Sequence, residues 1–133
     1  MQKIITFLTF QGQAEEAIKF YTSLFERSEI LDITRYEAGG PGAEGSVMHA
    51  TFSLNGEVFM GIDSSVQHAW TFTPAMSLWV TCESEQEIDR LYGALSEDGE
   101  VFMPLDEYPF SAKFAWVADR YGVSWQLNLA ERA

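Results

Sequence analysis

The chain has 133 residues, 47% hydrophobic and 21% charged, with 20 carboxylates against 8 lysines and arginines for a formal charge of −12. That length holds one ordinary domain with a real core, the composition excludes disorder, and the excess of acid opposes phosphate backbones, so no nucleic-acid partner is expected. No apolar run reaches the roughly 20 residues that cross a bilayer, and "MQKIITFLTFQGQ" carries one Lys and no small-residue cleavage signal, so a cytoplasmic protein without membrane contact is expected.

Taken in order, "TFLTFQ" from Thr6 is short, apolar and β-prone, and "EEAIKFYTSL" follows with Ala17, Phe20, Tyr21 and Leu24 at helical spacing. Glu15 and Glu16 crowd the first turn, where the helix dipole favours them. "SEILDITRYE" reads as a strand, and "EAGGPGAEGS" as a mobile glycine-rich loop centred on residues 38–46. "SVMHATFSLNGEVFMGIDS" is two strands joined at Asn55-Gly56, a strong two-residue hairpin signal. "SSVQHAWTFTP" is a linker, about residues 66–75.

Beyond it the pattern recurs. At a shift of 71 residues "SLWVTC" lies on "TFLTFQ", and "QEIDRLYGAL" lies on "EEAIKFYTSL". Ile88, Leu91, Tyr92 and Leu95 form the second apolar stripe, with Ser84 as N-cap and Glu87 completing a capping box. "GEVFMPLDEYPF", "SAKFAWVADRYG" and "VSWQLNL" supply three more strands, with Gly122 standing where Gly56 stood. The fold class is therefore α+β, two β-α-β-β-β modules (about 1–65 and 76–133) forming a curved mixed sheet around a cleft.

Strand alternation assigns faces. Ile5 and Phe7 are expected on the first helix, leaving Thr6 and Leu8 for the cleft, with Ser77 and Trp79 as their mates. Ala50, Phe52 and Leu54 form a core face opposite His49, Thr51 and Ser53, whose mates make Phe114 and Trp116 cleft residues. Met60 faces the cleft, and the Gly56–Gly122 alignment sends Gln126 and Asn128 there too. Aromatic walls with a few hydrogen-bonding groups (Thr6, His49, Ser77, Gln126) have the profile of a small-molecule site, or else pack against the other half.

The duplicated unit, with "AIKFYTSLF" in its first helix, resembles the vicinal oxygen chelate superfamily of glyoxalases, bleomycin-resistance proteins and ring-cleaving dioxygenases. "HATFSLNGEVFMGIDS", "FTPAMSLWVTCES" and "MPLDEYPFSAKFAWVADRYGVSWQL" look more narrowly like the PhnB-like branch, which often carries a 3-demethylubiquinone 3-methyltransferase label. The resemblance runs from about Ile4 to Leu129 and implies one glyoxalase-like domain over 1–133 and a homodimer that shares or swaps modules. It also implies metal ligands, His or Glu, from the first and fourth strands of each unit. Those places hold Thr6, Met60, Ser77 and Gln126, none a good ligand for a hard divalent ion, and neither Phe59 nor Gly61 would rescue the site. No metal and no cofactor are expected. S-adenosylmethionine usually sits on a glycine-rich loop between strand and helix, whereas "AGGPGAEG" joins two strands.

Other candidates are few. His49 on the cleft face is either a hydrogen-bonded structural histidine or a general base. Asp63 and His68 form a proton-transfer couple or, alternatively, Asp63 caps its turn. Pro104 and Pro109 are expected to pin an extended loop that brings Asp106, Glu107, Tyr108 and Lys113 to one cleft end, where Lys113 either attracts an anionic group or pairs with Asp106 or Glu107. Cys82 cannot form an internal disulfide and reads as a half-buried inert thiol at a strand end or, alternatively, a nucleophile. Two functions remain in view: a metal-free protein that binds a small planar molecule, and a glyoxalase- or lyase-like enzyme using His49 or His68 as base. A purely structural dimer with a filled cleft is a third.

Overall fold

The computed structural model describes residues 2–131 of the chain, which divides between Ala69 and Trp70 into two units. The first contains β1 (Thr6–Phe10), α1 (Ala14–Leu24), β2 (Glu29–Arg35), β3 (Val47–Leu54) and β4 (Glu57–Asp63). The second contains β5 (Ser77–Cys82), α2 (Glu85–Ser96), β6 (Glu100–Tyr108), β7 (Ser111–Ala118) and β8 (Ser124–Leu129). Each unit is a β-α-β-β-β module, as the repeat requires, and each folds its strands into one four-stranded mixed sheet. The orders are β1-β4-β3-β2 and β5-β8-β7-β6, with the first strand of each module parallel to the last and the other pairs antiparallel.

The helices cover one sheet face each. In the first unit Ala17, Ile18, Tyr21 and Leu24 are buried with Leu8, Phe10, Ala50 and Phe52. Gly61 sits under α1, where an added Cβ would meet Ile18 Cδ1 at 3.4 Å, about an ordinary contact distance. In the second unit Ile88, Leu91 and Leu95 are buried with Ala115, Val117, Trp125 and Leu127. Each such Val, Leu, Ile or Phe side chain contributes about 1.5–3 kcal/mol on leaving water.

The two helices start by different means. Ser84 caps α2 as expected: its Oγ accepts from Glu87 N at 3.1 Å, and Glu87 Oε1 reaches back to accept from Glu83 N at 2.7 Å. Gln13 gives α1 no side-chain cap. The carboxylate of Asp63, at the end of β4, does so instead: Oδ1 accepts from Gly12 N at 2.8 Å and Ala14 N at 2.9 Å, while Oδ2 accepts from Val47 N at 2.9 Å. An anion at a helix N-terminus also meets the positive end of the helix dipole.

The Asn55-Gly56 turn has φ of 51° and 85°, the two positive values that a type I′ hairpin needs.

The glycine-rich loop is folded back on its own start: Tyr36 N donates to Ser46 O at 2.9 Å, Gly45 N to Tyr36 O at 3.0 Å and Gly40 N to Glu37 O at 3.1 Å. Gly42 lies so close to the Tyr36 ring that an added Cβ would stand 2.5 Å from it, so this glycine serves close packing, whereas Gly39 and Gly45 have open space and take φ of 80° and 85°. Two expectations are corrected. Pro104 belongs to strand β6 and not to a loop, because β6 is a sheet edge with register shifts, where a missing N–H costs the ladder nothing. In β1 the faces are exchanged relative to the reading from alternation. Leu8 and Phe10 are buried with the helix and Phe7 is 50% exposed, so Thr6 is paired with helix-side Phe59, and Phe7 with Met60.

Candidate functional site

The face of the second sheet turned away from α2 carries the residues that alternation singled out. Trp79 pairs with Gln126 across the parallel β5–β8 ladder, and Trp116 pairs with Gln126 across the antiparallel β7–β8 ladder. Trp79, Gln126 and Trp116 therefore stand in one row on one face, with the amide between the two indoles. The neighbouring rows are Ser77 with Ser124, and Thr81 with Asn128 and Phe114.

Hydrogen bonds fix the polar members. Trp116 Nε1 donates to Ser124 Oγ at 2.9 Å, Ser124 and Ser77 share a hydroxyl bond at 2.7 Å, and Gln126 Nε2 donates to Ser77 Oγ at 3.2 Å. Ser124 is 2% exposed, so the chain of donors and acceptors is anchored in the interior and emerges at the half-buried Gln126. The amide nitrogen is the atom used in that chain, and the carbonyl oxygen beside it is an acceptor. Asn128 is used differently, accepting from Ser111 Oγ at 2.5 Å.

The aromatic members are unequal. Trp79 is 55% exposed and its Nε1 donates to Thr81 Oγ1 at 3.2 Å, which orients the ring. Trp116 is half-buried, with Phe102 at a ring separation of 5.2 Å. Phe114 is only 2% exposed, covered by Phe110 at 4.9 Å and Tyr108 at 6.0 Å, both edge-on, and by Trp79 at 5.9 Å. It is a packing residue beneath the exposed rings.

On the corresponding face of the first sheet, Phe7, Met60 and Thr51 share a row, and His49 pairs with Thr34. His49 is half-buried. Met60 occupies the place of Gln126, as the hairpin alignment required, but its β1 neighbour is Phe7 and not Thr6. Thr6 thus leaves the set of open-face residues.

Lys113 is also displaced from its expected role. It lies on the helix side of β7, where Nζ meets Asp89 at 2.7 Å and Glu85 at 3.4 Å, both on α2, and the bond to Asp89 holds its ammonium above the ordinary lysine range. Its partners are these carboxylates and not Asp106 or Glu107. Asp63 caps α1 and holds Val47, with both its oxygens receiving the backbone amides described above, and His68 Nε2 is 2.8 Å from Ser64 Oγ. A shallow depression elsewhere on the second unit, lined by Glu85, Ala112, Leu129, Ala130 and Glu131, contains none of the candidate residues.

Of the four places where the resemblance implies metal ligands, Met60 and Gln126 stand on the open faces beside Phe7 and Trp79, Ser77 is bonded to Ser124 and Gln126, and Thr6 pairs with Phe59 in the row of the other face. Two hydroxyls, a thioether and an amide are not a donor set for a hard divalent ion, so the residues present do not fit the implied metal. Among the described residues no group of three or more His, Cys, Asp and Glu side chains is placed to hold one. No described helix is long and apolar enough to cross a membrane.

A family model described as 3-demethylubiquinone-9 3-methyltransferase matches residues 2–128. Among solved structures, the PhnB protein from Bacillus cereus is 64% identical, with 97% of this chain and 100% of that chain covered and a TM-score of 0.96. Protein PA1353 from Pseudomonas aeruginosa is 25% identical, covering 99% and 100% of the two chains at a TM-score of 0.85. A glyoxylase/bleomycin resistance protein/dioxygenase domain from Frankia shares the fold at 18% identity and a TM-score of 0.64, covering 100% of this chain and 95% of that one. No curated protein matches.

Proposed function

The chain belongs to the 3-demethylubiquinone-9 3-methyltransferase (PhnB-like) family, within the glyoxalase, bleomycin-resistance and dioxygenase structural superfamily, and from that premise we propose that it binds a small planar molecule without a catalytic metal. The observation that supports this reading is the Trp79–Gln126–Trp116 row. An exposed, hydrogen-bond-oriented indole offers a stacking surface, and an amide fixed through Ser77 and buried Ser124 offers directed hydrogen bonding beside it. Because the donor set at the superfamily's metal positions is soft or neutral, no step of the function is routed through a metal. Methyl transfer gains no support from the elements: the glycine-rich segment joins β2 to β3 and opens no helix.

The test is calorimetric titration with a panel of planar aromatic compounds, followed by the same titration of Trp79→Ala. Saturable binding that weakens about tenfold in the variant is expected, since a stacked ring contributes roughly 1–3 kcal/mol. Absence of heat across the panel would overturn the reading.

The same reading takes the working unit to be a homodimer. Phe7, Leu31 and Met48, each 43–50% exposed on the first unit, are the apolar side chains such an assembly would cover. Light scattering on a sizing column should return twice the 15.0 kDa chain mass, and a monomer at micromolar concentration would remove the dimer from the proposal.

A further inference from the structure

The charge around the open face of the second sheet is one-sided. Residues 70–131 hold eleven carboxylates and three basic side chains, Arg90, Lys113 and Arg120. Lys113 is on the helix side, gripped by Asp89 and Glu85, Arg90 is on α2, and Arg120 lies beyond the end of β7 with Glu97 at 3.6 Å. Among the described residues of this unit, none of the three stands in the rows that contain Trp79, Gln126, Trp116 and Phe114. The register does bring one carboxylate to those rows: Asp106 on β6 pairs with Phe114 and is exposed.

The open face thus offers an incoming molecule an exposed indole, an amide carbonyl acceptor and a carboxylate, with no cation in those rows among the described residues of this unit. Each favours positive charge: the indole face through its quadrupole, the amide oxygen as acceptor for N–H, and the carboxylate by Coulomb attraction. An anionic ring would meet the carboxylate with nothing to offset it. Resting on the planar-ligand reading above, we propose that the ligand class is a planar aromatic cation carrying N–H donors, such as a protonated aminoheterocycle, stacked on Trp79 with its N–H groups toward the Gln126 carbonyl oxygen and its charge in the field of Asp106, on the opposite edge strand of the sheet.

Three tricyclic probes of similar shape separate this inference from the one beneath it: 9-aminoacridine (a cation at pH 7), acridone (neutral) and anthracene-9-carboxylate (an anion), each titrated calorimetrically into the intact protein at low salt. The expected order is cation, neutral, anion, with 9-aminoacridine at least about fivefold tighter than acridone. Asp106→Asn should cost the cation about threefold and leave acridone unchanged, and added salt should narrow the gap between the two. Equal affinity for cation and neutral, tighter binding of the anion, or an Asp106→Asn variant that keeps the full preference would each overturn the cation inference while acridone binding lost in Trp79→Ala would keep planar stacking standing. If none of the three binds, stacking itself fails and the inference fails with it.

Discussion

Gln126 donates its side-chain amide to Ser77 Oγ at 3.2 Å, across the parallel pairing of the first and last strands of the second module. The bond ties the half-buried amide in the Trp79–Trp116 row to a hydroxyl that is in turn held by buried Ser124. Removing the hydroxyl with Ser77→Ala should free the amide to rotate. Ligand affinity is then expected to fall about three- to tenfold, the equivalent of one ordinary hydrogen bond, while the denaturation midpoint moves little. Titration calorimetry beside a urea melt checks both halves, and unaltered affinity would mean that the amide is not what the ligand meets.

Asp63 is 2% exposed and joins three segments through Gly12, Ala14 and Val47 amides. Asp63→Ala strips α1 of its cap and leaves the Ala14 and Val47 N–H groups buried without acceptors. A loss of about 3 kcal/mol is expected in urea unfolding. Asp63→Asn keeps one acceptor oxygen but turns an NH2 toward a backbone donor, so it should cost less than Ala and still more than about 1 kcal/mol.

Glu15 is paired with Arg35 at 2.7 Å and Lys19 at 3.0 Å, and its hydrogen bond to Arg35, then that to Lys19, lower its pKa to about 2. A folded-state value below the unfolded one means a stabilisation that is present above the unfolded pKa of about 4.5 and lost as pH falls toward 2. The pair is at the surface, so screening keeps the effect below about 1 kcal/mol. Melting temperatures of the parent and Glu15→Gln should differ at pH 6 and converge near pH 2; a gap that persists at pH 2 would show that the carboxylate's charge is not its source.

Cys82 is fully buried at the end of β5, and burial, with Glu87 nearby, pushes its thiol up to about 12. The thiolate is the reactive form, so the folded protein should be inert to a disulfide reagent at pH 8 and react with one equivalent only in denaturant. Rapid labelling of the native protein would contradict this placement.

Much of the fold was legible because two signals repeat. The helical spacing of Ala17, Tyr21 and Leu24 and of Ile88, Leu91 and Leu95, the Asn55-Gly56 turn and the Ser84 cap are local, and each is decided within a few residues. The faces of β3 and β8 were legible as well. There apolar and polar residues alternate, so a one-residue slip would expose Phe52 or Leu127. Gln126 follows from that alternation with the hairpin alignment and Trp116 from the repeat, since β7 is apolar on both sides, whereas Trp79 was read as the mate of Leu8, whose own face the structure reversed.

The face of β1 was not legible, because "TFLTF" is apolar on both sides and alternation has nothing to choose between. Only burial against α1 decided it, sending Leu8 and Phe10 inward and Phe7 out. Nor could charge choose the partner of Lys113 among so many acids, until the helix side of β7 was brought against Asp89. The sequence by itself determined what each segment is and which residues lie on its two sides. The tertiary structure decided which side is covered and which distant groups meet. The carboxylate of Asp63 caps a helix 49 residues earlier in the chain, a contact that depends on how the strands pair and leaves no local pattern to read.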